Sequence, residues 1–235
     1  MDKLLRGIHQ FQTNYFSQNR DFFQSLVGQQ LPRALFITCS DSRINPNLLT
    51  QTEPGELFIL RNAGNIIPPY GASNGGEGAT IEYAISALGV KQIIVCGHTH
   101  CGAMGGLLHP EKVNDLPTVA AWLKYSETTR RIIKQNYSDL TGNDLLNATI
   151  KENVLVQLEN LRTHPSVAVG LSQGSLDLYG WVYQIETGKV YAYSQEDNRF
   201  LPVDGESVPK PVSNRKRLPS VKMEDSDKNL KNVNK

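Results

Sequence analysis

The sequence lacks the features that would mark a membrane, secreted or nucleic-acid-binding protein. Its 235 residues include only three cysteines, Cys39, Cys96 and Cys101. That number is too small, and odd, for a disulfide scaffold. It suggests a reducing compartment, where cysteine serves metal or redox chemistry. There is no apolar run of roughly eighteen residues, so no membrane span is expected. A formal net charge of +1 offers no electrostatic argument for nucleic acid or anionic lipid. Residues 1–7 show neither the apolar core nor the small-residue cleavage site of a secretory leader. What is there, 39% hydrophobic and 20% charged residues, suits one globular domain with a short appendage.

Leu4, Ile8, Phe11 and Tyr15 recur at helical spacing and predict an N-terminal helical arm, about residues 1–28. Such a stripe packs on its own domain or on a second subunit. Apolar runs at Ala34–Thr38, Glu56–Leu60 and Gln92–Cys96 read as buried strands. A Gly-rich loop, Gly71–Gly78, and a helix near Thr80–Leu88 separate the second run from the third. Strand, helix, strand argues for a parallel sheet. Helices are expected over Pro117–Tyr137 and Asn143–Leu161, followed by a hairpin pairing Gly180–Ile185 with Val190–Tyr193. The fold class expected is α/β, a central, mostly parallel sheet flanked by helices. The domain is expected over residues 1–205. Residues 206–235, rich in Pro, Ser, Lys and Asn with the cluster Arg215-Lys216-Arg217, read as a disordered basic tail, either solvated or docking a protein partner.

Cys39 closes the first strand, and His98 and Cys101 follow the third. In a parallel sheet the strands' carboxyl ends share one edge, where ligands bind. Two thiolates and an imidazole form a borderline-soft set suited to Zn2+, and three protein ligands leave one tetrahedral position open, as in catalytic sites. Taken alone, His-x-x-Cys fits buried thiols and a loop histidine as well. Asp41 and Arg43 add to the signal: an N-cap explains the aspartate but not the arginine, whereas a bidentate pair holds the carboxylate ionised and fixed in direction. Cys96, inside an apolar run, reads as a buried structural thiol. His100 is a rival ligand or proton carrier.

Cys-x-Asp-x-Arg followed by His-x-x-Cys resembles the zinc signature of the β-class carbonic anhydrases. The likeness extends to Arg61-Asn62-Ala63-Gly64-Asn65, Gly75-Gly76-Glu77-Gly78, Glu82-Tyr83, residues 97–103 and Gly180-Trp181-Val182-Tyr183, or roughly residues 1–203. Residues 66–72 and the Glu186-Thr187-Gly188 turn are similar to the cyanobacterial, carboxysomal branch, although the tail here is shorter than the scaffold-docking extension of that branch. The resemblance implies reversible hydration of CO2 to bicarbonate by a zinc-bound hydroxide, with one Zn2+ per chain on Cys39, His98 and Cys101. Asp41 would pair with Arg43 to orient the nucleophile, and would become a fourth zinc ligand in a closed form. Gln30 would bond substrate, and Phe58, Tyr83, Ala63 and Gly102 would line its pocket. A homodimer or an assembly of dimers is implied, as are a cytoplasmic or carboxysomal location and a carboxysome scaffold protein as partner. Two thiolates would weaken the metal as a Lewis acid, so activity is expected to climb on the alkaline side. A hydrolase acting on CS2 or COS, a zinc-bearing scaffold protein and a cysteine redox protein are the alternative readings.

Overall fold

The computed structural model describes residues 1–205 and 209–212. The described chain divides into residues 1–31 and a second unit from Pro32 onward. In the first unit, α1 (Asp2–Gln10) runs on through a wider π-helical turn, Phe11–Phe16, and α2 (Arg20–Ser25) follows. The rings of Phe11, Tyr15, Phe16, Phe22 and Phe23 cluster with centroids 5.1–6.2 Å apart, mostly tilted or edge-on. Leu4, Leu5 and Ile8 remain more than half exposed.

The second unit is built on a six-stranded sheet: β1 (Ala34–Cys39), β2 (Leu57–Asn62), β3 (Gln92–His98), β4 (Asp177–Tyr183), β5 (Val190–Ser194) and β6 (Arg199–Pro202). The spatial order is β2-β1-β3-β4-β5-β6, parallel through β4 and antiparallel thereafter. β1 is a continuous apolar run because all six of its residues are buried. Its helices are α3 (Pro46–Thr50), α4 (Gly76–Glu82, prolonged by the π-helical turn Tyr83–Ala87), α5 (Gly102–Leu108), α6 (Pro117–Leu123), α7 (Glu127–Asn136), α8 (Gly142–Arg162) and α9 (Pro165–Ser172).

α8 lies hard against the sheet. A Cβ at Gly97 would meet Val154 and Ile150, and one at Gly180 would meet Leu158 and Val154, all at 3.0–3.1 Å. These two strand glycines let the helix backbone come close. The main core fills this side, from Leu35, Ile37 and Val95 to Val154, Leu158 and Leu178. On the opposite side Phe36, Ile94, Cys96 and Ile44 form a smaller cluster, edged by Tyr179, Trp181 and Tyr183.

The mostly parallel sheet and the hairpin match the sequence reading. The expected single helix over Pro117–Tyr137 is instead interrupted by a 3-10 turn at Lys124–Ser126. There Ser126 is fully buried and donates to Asn153 Oδ1 at 3.1 Å. Apolar packing also reaches past residue 205. Val212, within the stretch read as tail, is buried in the main core and donates its N–H to Leu178 O at 2.7 Å. The rest of that stretch, including Arg215-Lys216-Arg217, lies outside the described residues.

Candidate metal centre

The strand order places β1 between β2, which follows it directly, and β3, which comes after a further crossover. The carboxyl ends of β1 and β3 are therefore adjacent at a switch point, the usual location of a site in an open α/β sheet. The register pairs Thr38 with Cys96, which brings Cys39 beside the end of β3. His98 is the last residue of that strand rather than beyond it. Cys101 immediately precedes α5. Cys39, His98 and Cys101 are all buried, and their ligand atoms lie within 4.8 Å of one another.

The donor set has the chemistry of an ion site. His98 Nδ1 lies 2.8 Å from Thr99 O. That carbonyl only accepts, so Nδ1 carries the hydrogen and Nε2 presents its lone pair. Nε2 is buried and has no hydrogen-bond partner. Stranding such an atom is costly unless a cation takes it. The Cys39 thiol is pulled down to about 4, chiefly by its hydrogen bond with Cys101 and also by His98 and the Gly64 N–H, against the effect of burial. The same bond to Cys39, together with burial, pushes Cys101 up. A divalent ion bound here would displace the remaining thiol proton, since thiolates are the ligands.

The loop after β1 is fixed from two directions. Arg43 donates through Nε to Asp41 Oδ1 at 2.9 Å and through Nη2 to Asp41 Oδ2 at 2.7 Å, and its backbone N–H adds a third bond to Oδ1. The guanidinium holds the Asp41 carboxyl well below the usual carboxylate range. Arg43 Nη2 also reaches His100 O at 3.1 Å, which ties the two ligand loops together. Asp41 Oδ2 stands 3.8 Å from His98 Nε2, next to the ligand cluster. From β2, Arg61 donates to the carbonyls of Cys39, Asp41 and Ile44 at 2.8–3.1 Å.

Thr99 locks the second loop. Its N–H donates to Tyr183 O, its hydroxyl donates to Glu186 Oε2 at 2.6 Å, and the same hydroxyl accepts from Ile185 N at 3.0 Å. The roles of Arg61, Thr99 and Glu186 could not be read from the sequence, because each acts on backbone or hydroxyl groups far away in the chain. Their only signal was membership of the quoted motifs or turn.

Of the other residues singled out, Phe58 and Tyr83 face each other with ring centroids 6.1 Å apart. A Cβ at Gly102 would meet nothing within 4 Å, so open space lies beside Cys101. Ala63 is exposed, and its carbonyl accepts from Trp122 Nε1 at 2.8 Å. Gln30 is an exposed residue of the N-terminal unit. His100 is outside the ligand cluster, and its Nε2 lies 3.7 Å from Glu186. Cys96 is fully buried and burial pushes its thiol up to about 12, so it stays protonated.

A family model described as carbonic anhydrase matches residues 34–190. The solved structure of the β-carbonic anhydrase CcaA matches 86% of this chain and 99% of its own, with a TM-score of 0.85 at 53% identity. The chain belongs to the β-class carbonic anhydrases. A carbonic anhydrase of Synechocystis is 56% identical over 194 residues, covering 82% of this chain and 71% of its own length. A further structural relative is one of two tetrameric β-carbonic anhydrases of the fungus Sordaria macrospora. It has a TM-score of 0.74 at 28% identity, covering 81% of this chain and 95% of its own. The reaction of this carbonic anhydrase is the reversible hydration of CO2. Its metal is zinc, one ion on Cys39, His98 and Cys101. No helix among the described residues is long and apolar enough to cross a membrane.

Proposed function

We propose that this carbonic anhydrase works with Asp41 as the group that aims the nucleophile and Arg43 as the group that holds Asp41 in place. The observation that supports this is the bidentate clasp beside the ligand cluster. Zinc bound there supplies a Lewis acid that lowers the pKa of water. Asp41, kept ionised by Arg43, accepts a hydrogen bond in a fixed direction and so leaves one lone pair aimed at CO2. Phe58, Tyr83 and Ala63 form the apolar side of the CO2 pocket. Backbone groups near Gly102 stabilise the developing bicarbonate oxygens. Were Arg43 to release Asp41, the carboxylate, 3.8 Å from His98 Nε2, would be free to serve as a further metal ligand and so close the enzyme. Stopped-flow CO2 hydration on zinc-assayed Arg43→Ala tests the assignment. Loss of turnover at full zinc content supports it, and wild-type turnover overturns it.

The enzyme works as a homodimer or an assembly of dimers, with the arm of residues 1–28 packed on a partner copy. Support comes from the exposed Leu4, Leu5, Ile8, Phe11 and Tyr15, a stripe that closed symmetry would bury. Sedimentation of the full chain and of a chain beginning at residue 29 tests this: the arm-less form should dissociate. Kinship with cyanobacterial enzymes supports a cytoplasmic enzyme of carbon fixation, housed in the carboxysome by a scaffold protein. A fluorescent fusion that stays diffuse in carboxysome-forming cells would count against that location.

A further inference from the structure

The Cys39 sulfur accepts a hydrogen bond from outside the ligand set. Gly64 N–H donates to Cys39 Sγ at 3.3 Å. That N–H belongs to the peptide group whose carbonyl is Ala63 O, and Ala63 O accepts from the indole Nε1–H of Trp122, on α6, at 2.8 Å. The two bonds therefore sit at opposite ends of one resonant amide. A donor on the carbonyl polarises the amide and makes its N–H a stronger donor at the other end.

The peptide has no freedom to turn away. Gly64 is buried at φ +80°, and a Cβ there would meet Ala103 Cβ and Met104 Cε at 3.0 Å. Its own carbonyl is gripped by Asn153 Nδ2 at 3.0 Å. Asn153, fully inside the fold on α8, is held through its Oδ1 by Ser126, Thr129 and Gln157 at 2.9–3.3 Å. The N–H is thus aimed at the sulfur by groups from three helices.

We propose that Trp122 is a positioning residue for the metal centre, strengthening the Gly64 N–H···Sγ bond through the Ala63–Gly64 peptide and so withdrawing charge from the Cys39 thiolate. A thiolate that shares a lone pair with an N–H donates less to its ion. The ion remains the stronger Lewis acid, which partly offsets the cost of having two thiolate ligands. The relay rests on the zinc site.

The test uses the full-length enzyme with Co(II) in place of zinc and reads the sulfur-to-cobalt charge-transfer band. Trp122→Phe removes the N–H and keeps a ring against Tyr125, now 5.5 Å away and edge-on. With the relay gone, the sulfur lone pair is easier to ionise, so the band moves to longer wavelength while cobalt stays near one per chain. An unmoved band at full cobalt content overturns the relay and leaves the metal site standing. Loss of cobalt at an unchanged Tm also overturns it, because the indole would then support ligand geometry rather than sulfur charge. Absence of the band from the wild-type protein overturns the relay together with the metal site.

Discussion

Arg43 grips both carboxylate oxygens of Asp41 and, with the same Nη2, the carbonyl of His100. One guanidinium therefore fixes the direction of a carboxylate and the separation of the two loops that carry the metal ligands. Arg43→Ala should keep zinc near one per chain, since no ligand is lost, and lower kcat/KM by about a hundredfold, the cost of a misaimed group. Arg43→Lys should recover only part, because an ammonium cannot make the two parallel bonds. Metal assay together with stopped-flow hydration separates the two effects.

Cys39→Ser should lose both zinc and catalysis. Serine does not ionise near neutrality, and two ligands do not hold the ion. Hydration should fall to the buffer-only background, with metal content falling in parallel.

Thr99→Val should leave all three ligands in place but free the loop that carries two of them. The loop that presents His98 and Cys101 then loses an anchor at Glu186 and Ile185, which should weaken its hold on the ion. Zinc release to a chelator should accelerate accordingly, and Thr99→Ser, which keeps the hydroxyl, should stay close to wild type. An unchanged release rate for Thr99→Val would show that the bond to Glu186 holds nothing in place.

The pH dependence of stability has a clear sign at Glu127. Its carboxyl is drawn down to about 2 by hydrogen bonds from Arg130 and then Arg131, from an ordinary value of 4.5. A group depressed on folding adds stability above its unfolded pKa and loses it as pH falls through the folded one. Glu127→Gln should therefore melt below wild type at pH values above about 4.5, with the gap closing towards about 2. The pair is more than a third exposed, so the gap should be small and should shrink in salt.

Ending the chain at residue 205 rather than 212 should lower the melting temperature. The shorter form loses the burial of Val212, about 1.5–3 kcal/mol, and the Val212 N–H bond to Leu178 O. Equal melting of the two forms would mean that the anchor contributes nothing.

Much of this was legible in the sequence. β1 and β3 are apolar on both faces, and a continuous run is a strong signal. Cys39, Asp41 and Arg43 announce themselves because the members of the pair that matters stand only two positions apart in the chain. Other elements were hidden for physical reasons. α5 begins Gly102-Ala103-Met104-Gly105-Gly106, three of whose five residues are glycine, a poor helix former, and is held by the burial of Met104 and Leu107. β6 is four residues long and ends on Pro202. Val212 is one of a few scattered apolar residues in a stretch rich in Pro and polar residues, with no periodicity to single it out. Trp122 and Asn153 act through carbonyls of a turn about 60 and 90 residues away, and backbone acceptors leave no mark in a sequence.

The pairing of β1 with β3 has a consequence for how the chain finds its fold. Parallel pairing of strands so far apart in sequence is slow, and its register is set by which face each residue presents. A slip of one residue would change which part of β3 stands beside Cys39 and so displace it from its place next to His98. Cys39 and His98 terminate neighbouring strands, so only the correct register brings them together. An ion held by both strand ends would stabilise that alignment over its neighbours, because it binds only the arrangement in which its ligands meet.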